Sequence, residues 1–496
     1  MSLLYQMRRH SVAAALTGFA LRLCFVRFFP TTGGDTAAYL ELARNLLDKH
    51  VYALLRDGLL VPIDARPPGY PLFVAAVYSL SGRSDTALLV AQAILDVAGC
   101  FLIAALAARL APEPDRRRVW LAALWLAALC PFVANYAAVP LTEVLAVFLA
   151  SATLLLLVRA WQREELAGVG CDPPSRDWLL AGMAAGLATL VRPESPLLLA
   201  SAGVAIGLTC AIRGQWMRIV RTGVWLAAGL LLPLLPWGAR NVVTLGRVQL
   251  LASRYAEMPG EYVSRGFYAW TNTWLVRFRD VYLVPWKLEE QPILVDDLPA
   301  YAFDSPEERE RVARLLDEYN DSLTLTPLID HGFAELARER TRRHPLRTWL
   351  AVPLQRIATL WLTPRVELLP YTGHLTPLED KWEYDREDLL VTLGLCLVNL
   401  SYLLLAVAGC WAILRKGTAS AVPKSTGTSR ALATEVKSVG ARSPAPPGAM
   451  FLIAYLVIRT LFLTQVETPE PRYVLVCFPA IIALAAQVWR QHESLA

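Results

Sequence analysis

Apolar residues in this chain come in runs too long for the interior of a water-soluble domain. Stretches near or above the ~20 residues that cross a bilayer lie at 11–29, 86–109, 119–138, 141–160, 222–237, 389–414, 449–465 and 473–489. Residues 178–212 are apolar except for Arg192-Pro193-Glu194-Ser195, and read as two short spans meeting at that break. The pattern predicts an all-α polytopic membrane protein with about ten transmembrane helices, in a range of roughly eight to twelve.

Composition agrees. Charged residues are 18% of the 496 and hydrophobic residues 55%, against about 25% charge in a soluble chain; the mean hydropathy is +0.39. Basic residues gather on alternate connections: Arg8 and Arg9, then Arg109 with Arg116–Arg118, then Arg159, Arg163 and Arg176, then Arg213, Arg218 and Arg221, then Arg415 to Arg442. The positive-inside rule places these in the cytoplasm, with both termini, and anionic lipid accounts for the net charge of +5 without nucleic acid. No small-residue cleavage site follows the first apolar run, which reads as a retained anchor. The eight cysteines form no CxxC pair and the six histidines show no ligand spacing, so no metal or cofactor is expected.

Three regions lie outside the spans. Residues 30–85 form a long first outside connection, within an N-terminal core of 1–245. Residues 246–388 form an extracytoplasmic subdomain ending near a short apolar stretch, 349–362, placed at the membrane surface or re-entrant because it holds Pro353, Gln355 and Arg356. After the span 389–414, residues 415–448 are rich in Ser, Thr, Ala, Pro and Lys and read as a disordered cytoplasmic linker, leaving two spans in 449–496.

In the first outside connection, GGDTAAYLELARNLLDK puts Tyr39, Leu42, Ala43, Leu46 and Leu47 at helical spacing with charged residues opposite. This predicts an amphipathic surface helix headed by Asp35. Asp35 reads either as its N-cap or as a functional acid; the capping box would want Glu or Gln at Ala38. Downstream, Asp64-Ala65-Arg66-Pro67-Pro68-Gly69-Tyr70-Pro71 is stiffened by three prolines.

These two segments, followed by Leu141-Thr142-Glu143, Val191-Arg192-Pro193-Glu194, Pro236-Trp237-Gly238-Ala239-Arg240-Asn241 and Glu470-Pro471-Arg472-Tyr473, resemble the membrane glycosyltransferases that use polyprenyl-phosphate sugars. That superfamily, of GT-C fold, includes protein O-mannosyltransferases and bacterial lipid A aminoarabinose transferases. The likeness covers most of 10–245 and 390–489, not the region 246–388. It implies an inverting hexosyl- or pentosyltransferase in a bacterial inner membrane, working on the outer face. Its donor would be a polyprenyl-phosphate sugar and its acceptor a lipid, polysaccharide or protein. The first acid, Asp35, would be the catalytic base. Family members often carry a second acid directly before Arg-Pro-Pro or Lys-Pro-Pro; here Ala65 holds that place and Asp64 precedes it. Thr36 stands where some members have the Glu of an Asp-Glu pair, which argues against a protein O-mannosyltransferase in the strict sense.

A polyprenyl-phosphate sugar carries a leaving group that is already anionic, so its departure asks for cations more than for a proton. Arg66, Arg192, Arg240 and Arg472 fall near the outer ends of spans, against the positive-inside bias, where guanidinium suits phosphate. Arg66 and Arg472 lead as donor-phosphate ligands; Asp64, Glu143, Glu194 and Tyr473 are supporting candidates. Each also has a plain reading: Arg192 paired with Glu194, Arg472 with Glu467 or Glu470, Glu143 as a helix-dipole partner, and Trp237, Trp361 and Tyr473 as interface aromatics. Tyr262, Phe267, Tyr268, Trp270 and Trp274 serve either as packing or as a sugar platform. The competing functions are a lipid or solute transporter, which should show internal repeats and midplane charges, and a glycan polymerase or ligase. No repeat is visible, and Asp96 is the main charge inside a span.

Overall fold

The computed structural model describes residues 3–167, 175–252, 262–417 and 447–491. The expected linker 415–448 lies almost wholly outside the described residues. The N-terminal core runs through α1 (Leu3–Phe28), α2 (Thr36–Lys49), α3 (Gly69–Ser81), α4 (Asp85–Leu110), α5 (Arg116–Ala128), α6 (Pro131–Ala134), α7 (Glu143–Ala167), α8 (Ser175–Thr189), α9 (Leu197–Ile212) and α10 (Trp216–Leu245). The outer region holds α11 (Arg265–Thr271), α12 (Phe278–Leu283), α13 (Pro306–Ser322), α14 (Pro327–Arg343), α15 (Val352–Leu362) and α16 (Leu378–Tyr384). The chain closes with α17 (Arg386–Gly417), α18 (Pro447–Leu463) and α19 (Phe478–Ala485).

Among the described residues six helical segments are long and apolar enough to cross a membrane: those spanning Tyr5–Phe28, Asp85–Leu110, Glu143–Glu165, Trp216–Leu245, Arg386–Arg415 and Pro471–Trp489. A seventh is added if the pair Glu113–Ala128 and Pro131–Ala138, bent by 46°, counts as one. The chain is thus a multi-pass integral membrane protein, with fewer full-length apolar helices among the described residues than the ten spans read from sequence. The remaining runs fold as short helices. Apolar run length alone does not reveal where Pro131 bends a helix, whereas the break read at Arg192-Pro193-Glu194-Ser195 is the turn between α8 and α9. α10 and α17 turn rows of large apolar side chains outward, among them Val220, Val224, Leu231, Leu235, Leu397, Leu404 and Trp411, as lipid-facing helices must.

Small residues let helices approach closely. A Cβ added at Gly229 would run into the carbonyl of Leu179, and one at Gly182 into that of Leu226, so α8 and α10 touch along their backbones. Asp96, the charge inside a span, is answered by Arg22 of α1. The two pair at 2.7 Å, and Arg22 also donates to the carbonyls of Gly18 and Ala128, each at 2.8 Å. The pair is satisfied within the bundle and links α1, α4 and α5.

One departure from the all-α reading occurs among the described residues. β1 (Ala53–Arg56) and β2 (Leu59–Pro62) pair antiparallel, Ala53 opposite Pro62. Their turn is Asp57-Gly58, both with positive φ (50° and 79°), as a two-residue hairpin of Asp-Gly type demands.

The outer region has its own core of Phe267, Trp270, Trp274, Val312, Leu316, Ile329 and Phe333. Ser305 and Thr326 cap α13 and α14 through their hydroxyls, with proline at the first helical position of each. Phe267, Trp270 and Trp274 are therefore packing residues. Arg356 of α15 joins this unit to the bundle, donating to Leu275 O at 2.8 Å, Asn272 Oδ1 at 2.9 Å and Thr464 O at 2.9 Å. On the same stretch Trp349, Leu350 and Leu354 are exposed.

Candidate functional site

The expected surface helix is α2, burying Tyr39, Leu42 and Ala43. Asp35 occupies its N-cap position but makes no capping hydrogen bond. Thr36 braces the turn instead. Its Oγ1 accepts from Gly33 N–H at 3.0 Å and donates to Pro140 O at 3.2 Å. A Cβ at Gly33 would press on the Leu141 side chain at 2.9 Å, so the glycine lets this turn rest against the Leu141-Thr142-Glu143 segment. The Asp35 carboxylate is left facing outward from its own helix, toward Arg66 (Nη2 to Oδ1, 2.9 Å) and Arg472 (Nη2 to Oδ2, 3.5 Å).

Arg66 is held by the proline turn before α3. Tyr52 donates its phenol to Arg66 O at 2.8 Å and Pro67 O at 3.2 Å. Gly69 N–H donates to Leu190 O at 2.7 Å, a contact that any side chain at 69 would block. That bond ties the Arg-Pro-Pro turn to the one carrying Arg192 and Glu194.

From there one network of charge runs through the motifs. Arg192 pairs with Glu194 at 2.8 Å and with Glu143, at the start of α7, at 3.2 Å. Arg472 reaches Glu143 at 3.9 Å and binds Glu470 through Nε. Tyr473 donates to Glu470 at 2.7 Å, and its ring lies under the guanidinium groups of Arg192 (5.2 Å) and Arg472 (5.6 Å). So Tyr473 is part of the network rather than an interface aromatic. Asp35, Arg66, Glu143, Arg192, Glu194, Arg472 and Tyr473, spread over more than four hundred residues of sequence, are brought together.

Two of the expected residues stand apart. Arg240 donates to Ile63 O at 2.7 Å and Tyr52 O at 2.6 Å, between the rings of Tyr52 and Trp237. It braces the β1–β2 hairpin. Asp64 is buried and pairs with Arg247 at 2.7 Å.

Sequence reasoning missed Arg459 and Glu367. Arg459, fully buried in α18, pairs with Glu194 at 3.1 Å and donates to Tyr473 O at 2.9 Å. The signal was an arginine inside the run 449–465, which a buried helix tolerates only beside an acid. Glu367 accepts from the Tyr136 phenol at 3.0 Å; it lies in the region the motif resemblance does not reach.

Burial pushes the Glu194 carboxyl up, and the guanidinium groups of Arg192 and Arg459 outweigh it, bringing its pKa down to about 2. Burial likewise opposes the charge on Arg192, but Glu194 and Glu143 hold its pKa above the ordinary value. At Glu470 burial prevails over Arg472 and Tyr473, and the carboxyl sits above the usual range. Since the folded pKa of Glu194 is depressed, its stabilisation is complete above its ordinary value of 4.5 and is lost as pH falls toward 2. Glu194→Gln is expected to destabilise the protein by about 3–5 kcal/mol at neutral pH, since two buried guanidinium groups lose a counter-charge. Thermal unfolding of the detergent-solubilised protein at pH 7 and near pH 3 checks this: the gap between wild type and variant should narrow in acid.

Chemically, the site presents one carboxylate, Asp35, shared between two guanidinium groups, Arg66 and Arg472. Among the described residues no group of three or more His, Cys, Asp and Glu could hold a metal ion.

Residues 65–238 match the family model described as dolichyl-phosphate-mannose-protein mannosyltransferase. The match starts after Asp35 and ends before Arg240, so it covers Arg66, Glu143, Arg192 and Glu194 but not Asp35 or Arg472. No curated protein matches the chain in sequence. Among solved structures it is similar to the oligosaccharyltransferase of Archaeoglobus fulgidus in complex with zinc and sulfate, at 13% identity and TM-score 0.47, over 96% of this chain and 48% of that one. The chain thus spans about half the length of that enzyme. It is also similar to ArnT from Cupriavidus metallidurans bound to undecaprenyl phosphate, at 12% identity and TM-score 0.41, over 98% of this chain and 78% of that one. The resemblance to the family rests on the match over residues 65–238. Over residues 65–238 the chain therefore resembles the dolichyl-phosphate-mannose-protein mannosyltransferases, within the superfamily its motifs pointed to.

Proposed function

We propose that this protein is an inverting glycosyltransferase that moves a sugar from a polyprenyl-phosphate carrier to an acceptor hydroxyl on the non-cytoplasmic side of the membrane. The observation that carries this reading is the sharing of Asp35 between Arg66 and Arg472. The family match over 65–238 supports the class.

The donor is a phosphodiester, and its phosphate competes with Asp35 for the same two guanidinium groups. When phosphate takes Arg66 and Arg472, the Asp35 carboxylate is released toward the acceptor. The acceptor oxygen attacks the anomeric carbon, Asp35 takes its proton, and the bond from that carbon to the phosphate oxygen breaks. The electron pair leaves on polyprenyl phosphate, whose added charge Arg66 and Arg472 stabilise. One base and one displacement give inversion; the paired carboxylates of a retaining mechanism are not needed.

The test offers membranes from expressing cells a panel of radiolabelled polyprenyl-phosphate sugars with endogenous acceptors. Transfer above that of control membranes, with inverted anomeric configuration in the product, is the expected result. No transfer from any donor by well-folded protein would shift the reading to a transporter.

A further inference from the structure

Two buried carboxylate oxygens beside the proposed site lack a hydrogen-bond partner among the described residues: Oε2 of Glu143 and Oε2 of Glu367. Each residue's other oxygen is engaged, Glu143 by Arg192 and Glu367 by the Tyr136 phenol. A buried acceptor left unmade costs roughly 1–3 kcal/mol, more when charged, and such groups are rare unless a partner arrives from elsewhere.

Close by, the outer region presents an aromatic cluster. Phe278 and Tyr282 of α12 and Trp286 just after it pack edge to face. Their centroids lie 4.9 Å apart for Phe278–Tyr282 and 4.4 Å for Tyr282–Trp286. Unlike the packed core aromatics, Tyr282 is 46% and Trp286 40% exposed. The Tyr282 phenol lies within electrostatic reach of Glu470, Glu367 and Arg472, which turns that end of the cluster toward the charge network.

Carboxylate acceptors beside an exposed aromatic face suit a pyranose. Its hydroxyls donate to the carboxylates, and the C–H groups of one ring face lie on the electron-rich π surface. A bilayer surface would use the aromatics but not the carboxylates. We propose that Glu367 and the Tyr282–Trp286 face form the subsite that receives the sugar of the donor, with Glu143 accepting a further hydroxyl. This deepens the donor reading above and rests on it. It makes Glu367, outside every motif, a determinant of which sugar is used, because a site built to bond a hydroxyl rejects an analogue that lacks it.

The test measures binding of undecaprenyl phosphate and of its mannosyl and glucosyl diesters to purified full-length protein in detergent, for wild type, Glu367→Gln, Trp286→Ala and Arg472→Gln. The expected result is that Glu367→Gln and Trp286→Ala each weaken the better sugar diester by about tenfold or more. Binding of the sugarless phosphate should stay within about twofold in both, which also shows that the variants are folded. Equal loss for both lipids, no loss for either, or a wild type that prefers neither diester over bare phosphate overturns the subsite. Arg472→Gln separates the two ideas: it should lose both lipids, and if it binds undecaprenyl phosphate as well as wild type does, the donor-phosphate reading itself fails.

Discussion

Asp35→Asn should lower sugar transfer by about 100-fold or more, the usual consequence of removing a general base, at matched protein level in membranes. The substitution is close to isosteric, so the turn it sits in should survive. That turn is held by Thr36, through Gly33 and Pro140, and Asp35 caps nothing. What the variant loses is the charge shared with Arg66 and Arg472 and the lone pair that would take the acceptor proton. Donor binding should not weaken, since a neutral amide competes less with phosphate for the two guanidinium groups. Initial rates of labelled transfer for wild type and variant decide the matter. Equal rates would reduce Asp35 to a partner that merely orients Arg66.

Arg472→Gln and Arg472→Lys should both lose about 10²–10³-fold in turnover, the loss typical of one preorganised charge donor. Arg472 spreads its fork over Asp35, Glu143 and Glu470 at once, on the ring of Tyr473. A lysine supplies the charge from a single point and cannot meet three carboxylates, so it should rescue little. Arg240→Gln is the contrasting case. Arg240 holds backbone carbonyls of the hairpin, so its loss should show in thermal unfolding more than in turnover per folded molecule. Radiolabel transfer normalised to folded protein separates the two, and full activity in Arg472→Lys would mean that charge alone suffices there.

Helix α2 followed directly from spacing, because a 3.6-residue period over fourteen residues has few other readings; Tyr39, Leu42 and Ala43 are buried as expected, but so is Asn45 of the expected polar face, which donates to Ala53 O. The gathering of Arg66, Arg192 and Arg472 was anticipated from a global constraint: arginine is costly at span ends unless something anionic answers it. The same logic singled out Arg240, which is answered by carbonyl oxygens instead; these satisfy guanidinium as well as carboxylates do, and no local pattern tells them apart. Arg22 and Arg459 went unnoticed as partners of Asp96 and Glu194 because each sits inside a long apolar run. The hairpin was legible in Asp57-Gly58 between two Leu-Leu pairs, but its strands of four residues are too short to stand out beside spans. The ten spans read from sequence correspond to fewer full-length apolar helices among the described residues because one run bends at Pro131 and others, such as α8 and α9, fold as short helices.

In the charge network four carboxylates, Asp35, Glu143, Glu194 and Glu470, face four guanidinium groups, Arg66, Arg192, Arg459 and Arg472. On the proposed reading the site, so matched and mostly shielded from solvent, works as an ion exchanger and not as an anion trap: a phosphate enters by swapping places with a carboxylate. On the proposed reading the carrier arrives as a diester with one negative charge and departs as a monoester carrying nearly two, by analogy with the roughly −1.5 to −2 of a protein phosphomonoester at pH 7. The spent carrier therefore holds the exchanger more tightly than the fresh donor does. Turnover is then paced by carrier release, and transfer should slow as unglycosylated carrier accumulates in the membrane.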